Sequence, residues 1–318
     1  MRLLTRLLGN RPWSHCFILT AIARAIACGR YTFYAYLVMA AIDFLWARRF
    51  VSRWFQIHTI ANTVIAALCV KDTWFILSDP LRALATDETS QLPLAFVFAL
   101  HLYHMTAPGM NLHFVDYLHH ISMVIVGNPL LMFSSYGPLM NYNFMFVCGL
   151  PGGIDYGMLV CVKEGIMRPL TEKHYNNILN VWCRAPFLCF CVILSWVQIH
   201  IQRPPTYVIV CRCLLMALQI WNAQYFMARV CGNYFVTRFK VSQARKKAEK
   251  DGDVALAEKL TGPRKKGNRR ARADSVTEAV GAADEHPLPS AFEGVLEPRR
   301  NVRFNQFSRA WDYVRGGS

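Results

Sequence analysis

Residues 178–200 read ILNVWCRAPFLCFCVILSWVQIH, with one charged side chain, Arg184. An α-helix needs about 17–25 predominantly apolar residues to cross a hydrocarbon core of about 30 Å. The run is continuously apolar and lacks the period-two alternation of a barrel strand, so it reads as a membrane helix. Working outward, comparable runs lie at 31–47, 57–77, 92–106, 111–134, 139–162 and 206–231. Pro108-Gly109, Gly137-Pro138 and Pro204-Pro205 mark turns between them. The fold class that follows is all-α: a polytopic transmembrane bundle of about seven helices.

The whole chain agrees with that reading. It is 54% hydrophobic and 17% charged, against about 25% charged in soluble domains, and its mean hydropathy is +0.21. That mean includes a polar C-terminus, so the part before Lys240 is more apolar still. Three regions result. Residues 1–30 form a basic segment, either an interfacial amphipathic helix or an extra membrane helix at 14–29. Residues 31–235 form the transmembrane domain. Residues 236–318 form a basic tail with a short helix near 240–260 and too few large apolar residues for a core, hence mostly disordered.

The net charge of +15 lies largely in that tail, from Lys240 through Arg264 to Arg272. A basic segment directly after a membrane helix reads as an anchor on an anionic lipid surface, and not as a nucleic-acid site. Most of the eleven cysteines fall inside apolar runs, where a thiol acts as a small hydrophobe.

Orientation follows the positive-inside rule. Arg48, Arg49 and Arg53 follow the first run, Lys163, Arg168 and Lys173 follow the fifth, and the tail follows the seventh. With seven spans all three share the cytoplasmic side, and the acidic loop with Asp79, Asp87 and Glu88 lies opposite. Arg2, Arg6 and Arg11 would then be lumenal, a conflict that an eighth helix at 14–29 removes.

Polar groups at bilayer depth are expensive and mark candidate sites. The densest set is Asn111-Leu-His-Phe-Val-Asp-Tyr-Leu-His-His120. On a helix Asp116, His119 and His120 fall near one face, with His113 a turn earlier. A carboxylate beside an imidazole suits it to general-base work. The alternative is a polar network that holds helices together. Gly149-Leu-Pro-Gly-Gly-Ile-Asp155 is expected to break or kink its helix and free backbone groups for a ligand. Asp155 could equally pair with Arg184 or Arg212. His101 and His104 add HxxH, which with His113, His119 and His120 raises a membrane di-iron site, although the histidine boxes are incomplete.

In this order the motifs resemble the TLC-domain family, which includes ceramide synthases and lipid-regulatory membrane proteins. The carrying residues are Asp116, His119-His120, Asp155, Lys163, Arg184 before Pro186, and the segment Leu218–Phe226. The resemblance covers about residues 45–235. It implies a bundle around an acyl-chain cavity and a role in sphingolipid or phospholipid acyl-chain metabolism or homeostasis. It further implies acyl transfer with His119, His120 and Asp155 catalytic and Asp116, His113 and Arg184 binding substrate. No cofactor is implied, and acyl-CoA would be the co-substrate. Partners would be membrane lipids, with a homo-oligomer compatible, and the location the endoplasmic reticulum or another endomembrane with the C-terminus cytoplasmic.

One departure matters. The family's His-Asp pair falls here on Pro151-Gly152, so a non-catalytic lipid-binding regulator stays open beside the enzyme. Fatty-acid elongases are a second resemblance, but their HxxHH box is here Asp116-Tyr-Leu-His-His. A signalling receptor is disfavoured because Asn128-Pro129 does not extend to NPxxY.

Overall fold

The computed structural model describes residues 13–107, 117, 119–134 and 136–253, and every regular element among them is helical. In chain order these are α1 (Trp13–Leu45), α2 (Arg53–Ser78), the short α3 (Pro80–Ala85) and α4 (Leu92–Thr106). They continue as α5 (119–134), α6 (Pro138–Lys163), α7 (Pro169–Gln202) and α8 (Thr206–Lys250). Proline sits in the first turn of α3, α4, α6 and α7, where an N–H would have no helical partner in any case.

Among the described residues, α2, α6, α7 and α8 are long and apolar enough to cross a membrane, and α4 is a shorter apolar helix. Large apolar side chains point outward, among them Trp74, Trp182, Ile193 and Leu214. A soluble monomer rarely exposes so much contiguous apolar surface.

Two boundaries differ from expectation. α1 is a single helix from Trp13 to Leu45, and not a segment or separate helix ahead of a span at 31. No proline or turn cluster interrupts 28–32, and Gly29 alone does not stop a helix. At the other end the chain separates into two units, the first ending at Cys231 and the second beginning at Gly232. In the second unit the helix runs unbroken to Lys250, in the region where a short helix near 240–260 was expected. Arg245 there pairs with Glu249 one turn on, at 2.7 Å. The tail beyond 253, including its proposed disorder and lipid-binding charge, lies outside the described residues.

α2 is the central helix of the first unit, packed along α6 and against α4 and α1. At Gly149–Gly153, where a break or kink was expected, the helix does not break. A π turn, Met145–Gly149, widens the helix just before Pro151, and an α-helix resumes over Leu150–Lys163. The glycines serve close approach instead. A Cβ at Gly149 would lie 3.2 Å from Ala66 Cα, and one at Gly152 would lie 2.6 Å from Asn62 Nδ2. Small residues on one stripe let membrane helices bring their backbones together.

Side-chain ties fix both ends of the bundle. At one end Glu164, after α6, accepts from the Ser52 N–H at 3.3 Å and from Ser52 Oγ at 2.6 Å. Nearby, buried Asp43 accepts from Arg53, Arg48 and the Tyr103 hydroxyl. At the opposite end Asp72 accepts from Thr89 Oγ1 and Asn141 Nδ2, both at 2.6 Å. The arginine-bearing loops after α1 and α6 thus share one end.

Candidate functional site

α2 and α4–α8 line a cavity of about 340 Å³. Along α6 its lining runs from Leu139 to Tyr156, roughly 25 Å at 1.5 Å per residue. The walls change character along that length. Toward the Ser52–Glu164 end they carry His58 and Asn62 of α2, His101 and His104 of α4, His119 and His120 of α5, Asp155 and Tyr156 of α6, and Asn180 and Arg184 of α7. Toward the other end they carry Leu131, Leu139, Met140, Phe144, Cys191 and Leu215.

The histidines of α4 and α5 interlock in two pairs. His101 Nε2 lies 3.3 Å from His119 Nε2, and His120 Nε2 lies 3.1 Å from His104 Nδ1. The three-residue spacing of HxxH puts His101 and His104 on one face of α4, facing the adjacent pair on α5. His101 Nδ1 lies 2.6 Å from the Val97 carbonyl. A carbonyl only accepts, so Nδ1 carries the hydrogen. In a neutral ring Nε2 is then bare, and His119 Nε2 must donate to it. A neutral His119 therefore keeps its lone pair on Nδ1, and that atom is buried with no hydrogen-bond partner in the protein. His119 Nδ1 is thus a base without a proton to hold, beside a cavity.

His58 extends the cluster. Its Nδ1 bonds the Trp54 carbonyl at 3.2 Å, and its ring centre stands 4.3 Å from that of Tyr156 and 5.5 Å from that of His104. Among the described residues no group of three or more His, Cys, Asp and Glu has the geometry to hold a metal ion, so the di-iron alternative finds no ligand set there.

Asp155 accepts from Asn176 Nδ2 at 2.7 Å, and the same amide reaches Glu172 at 3.2 Å. Asn180 fixes Asn176 by donating to its Oδ1 at 2.6 Å. The expected partners of Asp155 are engaged elsewhere. Arg184 donates to the Val147 carbonyl and to Asn222 Oδ1. Arg212 donates to the Ser134 carbonyl and Gln202 Oε1 and lies over the ring of Tyr136, which lines the apolar end.

Four further lining atoms are buried without a protein partner: Asn62 Oδ1, Asn128 Nδ2, Asn143 Oδ1 and Asn222 Nδ2. Buried polar atoms are nearly always bonded, so these make the cavity a candidate binding site.

Of the residues singled out in sequence, His119, His120, Asp155 and Arg184 line this one cavity. Asp116 and His113 lie outside the described residues. His58, Asn176, Asn180 and Asn222 were not singled out. Asn222 falls inside the Leu218–Phe226 segment and Asn176 in the polar stretch 171–177, while for His58 and Asn180 only the cost of a polar group at bilayer depth could have flagged them. No family model, curated protein or solved structure matches the chain.

Proposed function

We propose that the protein is a seven-span integral membrane protein of TLC type that acts on the acyl chains of membrane lipids, with the cavity as its acyl-chain site. The observation that carries this reading is the cavity itself: a bare, buried His119 Nδ1 at its polar end and a long apolar slot beyond it. The cavity as a whole runs roughly 25 Å along α6, more than the depth of one leaflet, about half of a 30 Å core. A membrane-lipid chain therefore fits lengthwise.

In the catalytic form of this reading, His119 takes the proton of an attacking amine or hydroxyl. The nucleophile adds to the thioester carbon of acyl-CoA, the carbon–sulfur bond breaks, and the coenzyme A thiol leaves with a proton. Asp155, held by Asn176, orients the nucleophile. General-base help of this kind is worth about 10²–10⁴ in rate. The missing His-Asp pair at Pro151-Gly152 favours the second form, a lipid-binding regulator that uses the same cavity without turnover. The arginine-rich end faces the cytoplasm by the positive-inside rule, and an endomembrane such as the endoplasmic reticulum is the location.

The test pairs thermal stability in detergent with cellular lipid profiles for His119→Ala, His120→Ala and Asp155→Asn. Stable variants with altered acyl-chain profiles support the proposal, and turnover by the purified protein separates enzyme from regulator. Stable variants that leave the profile unchanged refute both forms.

A further inference from the structure

Arg184 poses a problem that the acyl-chain reading alone does not solve. Among the described residues it is the one lysine or arginine lining the cavity, and none of them places a carboxylate within ion-pair distance of it. A guanidinium at bilayer depth is costly unless it is paired. Its surroundings soften that cost only partly. The Val147 carbonyl and Asn222 Oδ1 take two of its five N–H groups, and its charge lies 5.4 Å from the Phe226 ring centre.

Asn222 supplies an independent sign. Arginine only donates, so the bond from Arg184 fixes Asn222 Oδ1 as the acceptor and turns Nδ2 away. That Nδ2 is buried with no acceptor in the protein. A cation and an amide donor, side by side, thus lack an acceptor and an ion-paired carboxylate, with Asp155 acting on Arg184 only from beyond ion-pair distance. Both line the polar end of the cavity, with Val147, Cys148 and Phe226 among the residues around them, and a small, singly charged, planar anion supplies both missing parts. Two parallel N–H donors match a carboxylate.

We propose that Arg184 and Asn222 hold the carboxylate of a free long-chain fatty acid, with its tail toward Tyr136. The assignment rests on the reading of this cavity as an acyl-chain site. It adds the charge and chemical class of the ligand.

The experiment uses the full chain purified in nonionic detergent, with palmitate and its chain-matched alcohol, amine and phosphate monoester as probes. Palmitate is expected to bind at least about tenfold tighter than the alcohol, about 1.4 kcal/mol. Arg184→Gln should erase that preference, and Arg184→Lys should keep part of it. Asn222→Asp is the sharper variant, because it places a carboxylate of the protein against Arg184. It should raise the melting temperature and abolish the preference for palmitate, and it remains informative if Arg184→Gln does not fold. An alcohol that binds as tightly as the acid, an amine or phosphate that binds more tightly, or an Asn222→Asp protein that retains the preference overturns the carboxylate assignment and leaves the acyl-chain site standing. If none of the four probes binds, the acyl-chain reading falls with it.

Discussion

Gly152 of α6 sits so close to Asn62 of α2 that a Cβ there would lie 2.6 Å from Asn62 Nδ2. The two helices that carry the cavity's polar end are therefore set against each other at a position with no room for a methyl group. Gly152→Ala is expected to destabilise the protein by about 1–3 kcal/mol through overpacking. Asn62→Ala in the same chain should recover most of that loss. Thermal unfolding of the two single variants and the double variant measures the coupling; additive losses would show that the contact is slack.

His101→Phe keeps a ring on α4 but removes the acceptor for His119 Nε2. The tautomer of His119 is then no longer fixed, and its Nδ1 is no longer held bare. Function should fall by about tenfold or more, on the low side of what a general base is worth, with little change in melting temperature. A lipid profile that matches wild type would show that the pair has no functional part.

The apolar end of the cavity should set chain length. Leu139→Trp fills space beside Tyr136 and is expected to move acyl preference to shorter chains, while Leu139→Ala moves it to longer ones. Acyl-chain profiles of cells carrying each variant are the readout. Equal profiles in both would separate the cavity from chain selection.

Tyr103→Phe removes the hydroxyl that reaches the buried Asp43 carboxylate at 2.5 Å. A hydrogen bond to a charged group contributes about 1.5–3 kcal/mol, so the variant should melt measurably lower with its lipid phenotype unchanged. An unchanged melting point would mean that Arg48 and Arg53 satisfy Asp43 without it.

Sealed microsomes test the orientation. Sites introduced after α1 and α6, whose loops meet at Ser52 and Glu164, should both be open to protease without detergent. Protection of either loop overturns the cytoplasmic assignment.

Much of the helical layout was legible because bilayer-length apolar runs are hard to misread, and the 92–106 run coincides with α4. His119 and His120 stood out because two adjacent imidazoles in such a run are costly. What sequence could not supply was pairing across helices. Nothing local tells that His101 meets His119, or that Asn222 takes up Arg184 in place of Asp155. The glycine run left a break, a kink or close packing open because Pro151 and three glycines carry the same local signal in each case, and only Asn62, Thr63 and Ala66 on the neighbouring helix decide among them.

The π turn in α6 has a consequence for insertions and deletions. Cavity positions on this helix fall every fourth residue, as Leu139, Asn143, Val147, Pro151 and Asp155, and again as Met140, Phe144, Cys148, Gly152 and Tyr156. In a plain α-helix each four-residue step overshoots a full turn by about 40°. Four steps would carry the stripe about 160° round the helix, and Asp155 would face away from Leu139. A turn closed at i→i+5 takes in about one extra residue, which sets the stripe back by about 100°. Met145–Gly149 therefore acts as a phase correction that keeps both halves of α6 on one cavity. Loss of a single residue there would leave a more regular helix whose two halves no longer share a face, so the length of this segment is under a constraint as strict as the identity of any side chain it carries.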